Sequence, residues 1–378
     1  MKILFIAPTP YFAHRGSHVR IFEQVYNLQK NNFKPLIVTY HIGECPNKYL
    51  QTDISIKRIR PWIFWYKKLE AGPSWQKIIL DCQLLLLTIK HIRKYNPQVV
   101  HAHLHEGILI GWIAKRILFW KKFEFIGDLH GSLTEEMRSH KYLKMNFVHK
   151  LFKRLEKWLN ARPSKLITSS AANTDSLTSK KVLTLEDGSG SIFNTKKPEK
   201  QSMRAELNLP LTKIIIIYTG AFLKNKGIDR LIKEIPEIFN NIPNTHFILA
   251  GKGANSTKKE FSINKTDRNI TFIEDLNYVD LPKYLYASDI AIDPKNNDTK
   301  QGSGKIYNYI AADLPVVCFA RKQNKRLLGK NYSFMKKSFS KTIQQILDNP
   351  EQFEYTEKLK NTHTWKKKIQ TLIDFYHE

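Results

Sequence analysis

The sequence predicts an α/β protein with parallel sheets, arranged as two domains. Three observations carry that expectation. Short, wholly apolar runs alternate with amphipathic stretches almost from end to end, as strands buried on both faces do when helices separate them. The 378 residues are more than one ordinary unit of this kind needs and suit two. The alternation lapses between Asp187 and Leu211, where Gly188, Gly190, Pro198 and Pro210 stand among charged residues without clear periodicity. The expected division is therefore an N-terminal domain at 1–190, a C-terminal domain at 191–350 and a helical tail at 351–378.

In order, Ile3 to Ala7 reads as the first strand, stopped by Pro8-Thr9-Pro10 and a polar loop reaching Gly16-Ser17. Ile21, Phe22, Val25 and Leu28 recur at helical spacing, Asn31-Asn32 closes that helix, and Pro35 to Tyr40 is the second strand. Trp62 to Tyr95 reads as a cationic, aromatic helical region. Val99-Val100-His101 is a buried strand and Gly107 to Trp120 a helix. Phe123 to Gly127 is a strand that runs into Asp128-Leu129-His130-Gly131-Ser132. A basic helix near Phe147 to Asn160 leads to the strand Lys165 to Thr168. The second series begins with Ile214 to Tyr218, a turn at Thr219-Gly220 and a helix from Gly227. The strands His246 to Ala250, Ile270 to Ile273 and Ile290 to Ile292 follow, then a helix from about Lys305 and the strand Pro315 to Phe319.

The charge balance is unusual: 61 Lys and Arg against 34 Asp and Glu give +27. Such a surface seeks anions, whether phosphorylated ligands, an acidic membrane face or nucleic acid. Cys45, Cys82 and Cys318 are scattered, which argues against a disulfide framework or a cysteine zinc site. The apolar run at the N-terminus is too short for a signal peptide. The stretch Ile78 to Ile89 is broken by Asp81 and Gln83 and falls short of the roughly 30 Å of a bilayer core. A cytoplasmic protein is expected.

Three nucleotide signatures fail. Gly302-Ser303-Gly304-Lys305 resembles a P-loop ending, but Ile306 replaces the magnesium-binding hydroxyl and Thr299 the leading glycine. Neither Gly251-Lys252-Gly253 nor Gly188-Ser189-Gly190 extends to GxGxxG. What remains is strand-to-helix turns that join glycine to a cation: Gly220 through Lys226-Gly227, and Gly302-Ser303-Gly304-Lys305. Glycine lets the backbone approach a ligand, and the following helix offers unpaired N–H groups, a combination that suits a diphosphate. A tight turn with a solvated lysine is the other reading of the same residues.

His101, His103 and His105 alternate, so they would share a strand face, with Glu106 beside them. No HExxH pattern and no remote cysteine supports a metal there. Packing near the strand end is expected of the first two, and a place on a cleft rim of His105 and Glu106. His130 lies at a strand end, where such folds collect chemistry.

Taken together and in order, these segments resemble the GT-B glycosyltransferases, specifically the large retaining glycosyltransferase family 4, over nearly the whole chain. Met1 to Pro8 with His14-Arg15-Gly16-Ser17 is similar to the family's opening strand and glycine loop. Val99 to His103 and Leu129-His130-Gly131 are similar to two further segments. Thr219-Gly220 through Asp229, Phe247 to Gly253, Leu281 to Asp293 and Lys305 to Val317 are similar to the family's donor domain. The resemblance implies two Rossmann-like domains with parallel sheets facing a central cleft and a C-terminal helix returning to the N-terminal domain. It implies an acceptor on the first domain and a nucleoside-diphosphate sugar on the second. No metal or other cofactor is implied, so that basic groups and helix ends neutralise the leaving diphosphate. By the same resemblance Lys226 serves the diphosphate, the loop of Gly16 and Ser17 approaches the phosphates, and His130 lies near the sugar. Gly220, Gly302, Ser303, Gly304 and Lys305 line the donor site. Two departures stand out: Ala221 occupies the place of an arginine, and Lys300 and Asn308 those of two glutamates. Asn308 retains a hydrogen-bonding group for the donor ribose.

The expected function is that of a retaining, metal-independent hexosyltransferase. It would move a sugar from a nucleotide donor to a glycan or lipid-linked acceptor in bacterial surface polysaccharide or glycoconjugate synthesis. The aromatic, basic N-terminal half, Trp62 to Trp75 above all, suits docking on the anionic cytoplasmic face of a membrane. The departures motivate an alternative, a catalytically inactive partner subunit of the same fold. The charge alone motivates a third, a nucleic-acid-binding protein. No RNP, KH, zinc-finger or helix-turn-helix signature accompanies it, so no specific nucleic acid is expected.

Overall fold

The computed structural model describes residues 1–50, 52–67, 74–134, 137, 146–170, 177, 181–193, 197–263, 267–296, 304–329 and 338–378. The chain forms two compact units, one built from Met1–Asp187 and Trp365–Glu378, the other lying between Gly188 and Thr364.

The first unit is a parallel sheet of β1 (Lys2–Ala7), β2 (Lys34–Thr39), β3 (Ser55–Arg58), β4 (Val99–His103), β5 (Glu124–Leu129), β6 (Lys165–Thr168) and β7 (Val182–Thr184). The spatial order is β3-β2-β1-β4-β5-β6-β7. Its inner strands are buried on both faces, which is why they read as continuous apolar runs. The two edges, β3 and β7, were not anticipated from sequence. Ser55–Arg58 is partly solvated and polar, and Val182–Thr184 is only three residues long. The helical reading of Trp62 to Tyr95 is also corrected. Residues 62–65 form a turn, and the helix begins at Trp75.

The helices α1 (Gly16–Lys30), α2 (Trp75–Tyr95), α3 (Leu104–Ile117) and α4 (Asn146–Asn160) connect these strands. With right-handed crossovers, stepping from β1 to β2 puts α1 on one face of the sheet, and stepping the other way through β4, β5 and β6 puts α2, α3 and α4 on the opposite face. The packing follows: α3 touches both α2 and α4, whereas α1 packs on the C-terminal helix Trp365–His377. Leu80, Leu84, Ile108, Ala114 and Leu159 close the core on the α2–α4 side, against Leu4, Ile6, Val100 and Phe125.

The second unit is a parallel sheet of β8 (Ile214–Thr219), β9 (Thr245–Ala250), β10 (Ile270–Ile273), β11 (Ile290–Asp293) and β12 (Val316–Cys318), ordered β10-β9-β8-β11-β12. Its helices include α5 (Ile228–Asn241) and α6 (Gly304–Ala311). In each sheet the strand order reverses once, at β1/β4 and at β8/β11. Open α/β sheets place ligands beyond the carboxyl ends of the strands at such a reversal. No described helix is long and apolar enough to cross a membrane.

Candidate functional site

Next to the first reversal, in the carboxyl-terminal halves of β4 and β5, a buried polar network is built around Asp128. Arg20 grips both carboxylate oxygens, Nη2 at 3.1 Å and Nε at 3.3 Å, and Gln24 Nε2 donates to the same group at 2.7 Å. Arg20 also donates to Asp187 and to the Leu185 carbonyl, both at 2.9 Å. These residues come from α1, where Arg20, Glu23, Gln24 and Asn27 form a buried polar stripe beside the apolar one. Sequence reasoning takes such a stripe for the solvated face. Here the C-terminal helix covers it, and Trp365 lies under the Arg20 guanidinium at 5.6 Å.

His101 and His103 stack on one another and on Phe5. His101 Nδ1 lies 2.6 Å from the Tyr376 hydroxyl, and its Nε2 faces Asp128 at 3.5 Å. His103 Nδ1 is 3.6 Å from Asp128 and 3.1 Å from His130 Nε2. The carboxylate favours a proton on His103 Nδ1, which then donates to His130 Nε2 and leaves the neutral His130 with its N–H on Nδ1. That nitrogen has no hydrogen-bond partner among the described residues.

Burial pushes the pKa of His130 down to about 4, outweighing Asp128, with Arg20 adding to the fall. Burial and then the neighbouring His101 hold His103 well below the ordinary value. Burial alone would raise Asp128, but Arg20 and the hydrogen bond from His101 hold it well below the usual carboxylate range. His101, His103 and Asp128 bring ligand atoms within 4.8 Å of one another. Arg20 supplies the positive charge that Asp128 requires, while His103 Nε2 is buried with no hydrogen-bond partner among the described residues.

The second reversal is built differently. Asp293, fully buried at the end of β11, meets Lys305 Nζ at 3.1 Å and Arg321 Nη2 at 3.3 Å. Lys305 also lies over the Tyr218 ring at 4.2 Å. Gly220, with φ of 140°, brings its backbone up to the same place, since a Cβ there would lie 3.6 Å from Lys305 Nζ. Gly227 (φ 75°) lets the turn carrying Lys226 press on the next strand's exit, where a Cβ would fall 2.1 Å from the Pro294 carbonyl oxygen. This turn brings Lys226 towards Lys295, which is 4% exposed. Burial first, then Lys226 and Arg321, lower the Lys295 pKa to about 7. Burial lowers Lys305 as well, against the pull of Asp293. Among the described residues, four basic side chains thus gather near the Asp293 carboxylate.

The residues expected from sequence separate accordingly. His130 joins the Asp128 network. Gly16 and Ser17 open α1, and Gly16 has no neighbour within 4 Å of a built Cβ. Gly220, Lys226, Gly304 and Lys305 lie at the second reversal, while Gly302, Ser303 and Lys300 fall outside the described residues. Asn308 Oδ1 accepts the Gly190 N–H at 3.3 Å. The rim expected of His105 and Glu106 is not what the first unit shows. His105 is buried, with Nε2 3.7 Å from Glu156, and Glu106 pairs with Lys77 at 2.9 Å, so both are engaged in holding helices. Arg20, Asp128, Asp293, Lys295 and Arg321 were not singled out as site residues. The signal available was an acid ending an apolar strand, twice, since a buried carboxylate must find a cation.

Residues 15–183 match Glycosyltransferase Family 4, and residues 199–364 match Glycosyl transferases group 1. The chain belongs to this GT-B glycosyltransferase family. A curated relative, the alpha-monoglucosyldiacylglycerol synthase of Acholeplasma laidlawii, is 21% identical over 295 residues, covering 74% of this chain and 71% of that protein. Sucrose-phosphate synthase from Thermosynechococcus elongatus has the same fold, with a TM-score of 0.75 at 16% identity over 100% of this chain and 98% of the other. So does the Anabaena protein HepE, solved in complex with UDP and glucose, with a TM-score of 0.73 at 14% identity over 100% and 99%.

Proposed function

We propose that the protein transfers a hexosyl group from a nucleoside-diphosphate sugar, with retention of configuration and without a metal, to a glycan or lipid-linked acceptor in surface polysaccharide or glycoconjugate synthesis. The observation that carries this reading is the gathering of Lys226, Lys295, Lys305 and Arg321 near the Asp293 carboxylate. A pyrophosphate leaving group develops negative charge as the glycosidic bond breaks, and fixed cations at a partly dry site stabilise that charge without reorganising. In this reading no divalent ion is required, because side chains and the start of α6 supply the positive charge. His130, neutral near pH 7, is suited to donate an N–H to a hydroxyl and not to serve as a strong proton donor. The likeness to a diacylglycerol-modifying synthase and to a UDP-binding structure supports a lipid-linked acceptor and a uridine donor. The cytoplasm, at the membrane periphery, is the location that fits such an acceptor.

Asn308 and Ala221 favour a second reading, a glycosyltransferase-like subunit without turnover. The Asn308 oxygen already accepts the Gly190 N–H, leaving one lone pair for a ribose hydroxyl. One experiment decides between the two. Thermal unfolding is followed with UDP, GDP, ADP and their sugar conjugates, for the parent and for Lys226→Ala. A nucleotide at about a hundred times its Kd adds roughly 2.7 kcal/mol. Stabilisation by one base, lost in Lys226→Ala, is expected. No stabilisation by any of them sinks the donor reading in favour of the inactive subunit. The anomeric configuration of the product, read by NMR, tests retention.

A further inference from the structure

The exposed large hydrophobic side chains are unevenly placed. Among the described residues, all but Leu211 and Leu223 lie between Trp62 and Trp158, in the first unit. Many of them stand on the outer surface of the α2–α4 layer, whose inner surface closes the core. Trp112 of α3 and Trp158 of α4 meet edge to face at 4.9 Å, with Arg116 over the first at 5.6 Å and Arg162 over the second at 4.5 Å. Just beyond α3, Phe119 and Trp120 stand 81% and 57% exposed. On α4, Leu151, Leu155 and Trp158 recur at i, i+4 and i+7 as an exposed apolar stripe. Lys150, Lys153, Arg154 and Lys157 flank it, all exposed. The one acid of α4, Glu156, turns to accept from the backbone of Leu133 and Thr134, so the exposed charges of α4 are all basic.

We infer that this α2–α4 face docks on a lipid bilayer containing anionic headgroups. Tryptophan and arginine side by side suit the headgroup boundary, where a ring is half buried and a guanidinium meets phosphate. The lysine rows complement a negative surface. A single-stranded nucleic acid would use the cations and the aromatic rings, but it offers nothing to Leu151, Leu155 or Ile117, which have no face for stacking. Acyl chains accept all of them. The inference deepens the peripheral-membrane part of the proposed function, and it is tested without nucleotide, so failure here and failure of donor binding are separate results.

The experiment is co-sedimentation of the full chain with vesicles of phosphatidylcholine alone or mixed with phosphatidylglycerol, with tryptophan quenching by brominated lipid. Binding to the anionic vesicles with quenching is expected. It should weaken at least about tenfold in Phe119→Ser/Trp120→Ser and in Lys153→Glu/Lys157→Glu, but not in Leu223→Ser. Should the serine pair fail to fold, the charge reversal on exposed positions decides alone. Absence of binding to anionic vesicles overturns the inference, as does equal binding by the parent and both variants. Tight binding of a single-stranded oligonucleotide at physiological salt, with the same variant sensitivity and no vesicle binding, assigns the face to nucleic acid instead.

Discussion

The two units answer the same structural problem in opposite ways. Each ends a central strand with a buried aspartate at the reversal of its sheet. In the first unit, Asp128 is held by Arg20 and Gln24 and surrounded by histidines that burial keeps neutral. Its one cation is matched by Asp128 and the part-exposed Asp187, and its hydrogen bonds run inward to α1 and the C-terminal helix. In the second, Asp293 meets both Lys305 and Arg321, with Lys226 and Lys295 close behind. Among the described residues, one carboxylate stands among four basic groups. A buried network whose cation is matched by carboxylates fixes geometry, whereas one over-supplied with basic groups suits an anion. On the proposed function, the first cluster positions and the second binds.

The largest effects should come from removing the two carboxylates. Asp128→Asn removes the fully buried counter-charge of Arg20 and leaves it only the part-exposed Asp187, and breaking such a buried pair costs about 3–5 kcal/mol. No small ligand should restore it, but Arg20→Met added to Asp128→Asn should recover most of the loss by removing the stranded charge. Asp293→Asn should cost a similar amount and regain part of it with pyrophosphate or the bound nucleotide. Thermal unfolding with and without pyrophosphate reads both. If the two variants respond equally to the anion, the contrast between balanced and over-supplied clusters is wrong.

The inner strands and their connecting helices were legible because parallel strands covered on both faces need unbroken apolar runs. Ile214 to Tyr218 and Ile3 to Ala7 allow no other pattern. The edges β3 and β7 were not, because a strand half in water carries mixed residues. The candidate site was legible where glycine had to meet a cation, at Gly220, Lys226 and Lys305. It was not legible at Lys295 or Arg20, because a single lysine in a loop or an arginine on a helix is usually solvated, and only the fold buries these two. Gly251-Lys252-Gly253 shows the converse. Its turn has the form of an anion cradle, but the Glu274 carboxylate takes the N–H groups of Gly253 and Asn255 at 2.8 and 2.7 Å.

The pH dependence of stability sharpens the comparison with a smaller effect. Burial lowers His18 to about 3 and His130 to about 4 in the first unit, below their ordinary value. The unfolded chain therefore binds protons first, and stability is lost as pH falls from about 6.5 through those values. His246 of the second unit, lowered to about 4 by burial, adds to the same acid loss. Lys295, lowered to about 7, sets a window of its own. Its contribution is complete above the unfolded lysine value near 10.5 and declines as pH falls towards 7. A bound diphosphate would raise that pKa. Nucleotide should then flatten the alkaline window, leave the acid one, and take up protons near pH 8 in calorimetry across buffers of different ionisation enthalpy. Binding without proton uptake would remove Lys295 from the anion site.

The smallest expected change is at Gly16. It begins α1, its φ lies outside the left-handed region, and a methyl group there would meet nothing within 4 Å. Neither backbone conformation nor packing inside the first unit therefore requires a glycine. Gly16→Ala should leave stability unchanged or raise it by about 0.4–1 kcal/mol, through the lower entropy of the unfolded chain. If the missing side chain makes room for donor phosphates, as the family resemblance implies, the same variant should lose kcat/KM in a sugar-transfer assay. Stability and activity then move in opposite directions, which a purely structural glycine does not produce. A variant with a higher Tm and undiminished turnover would free Gly16 of any part in binding and leave the anion to the second unit alone.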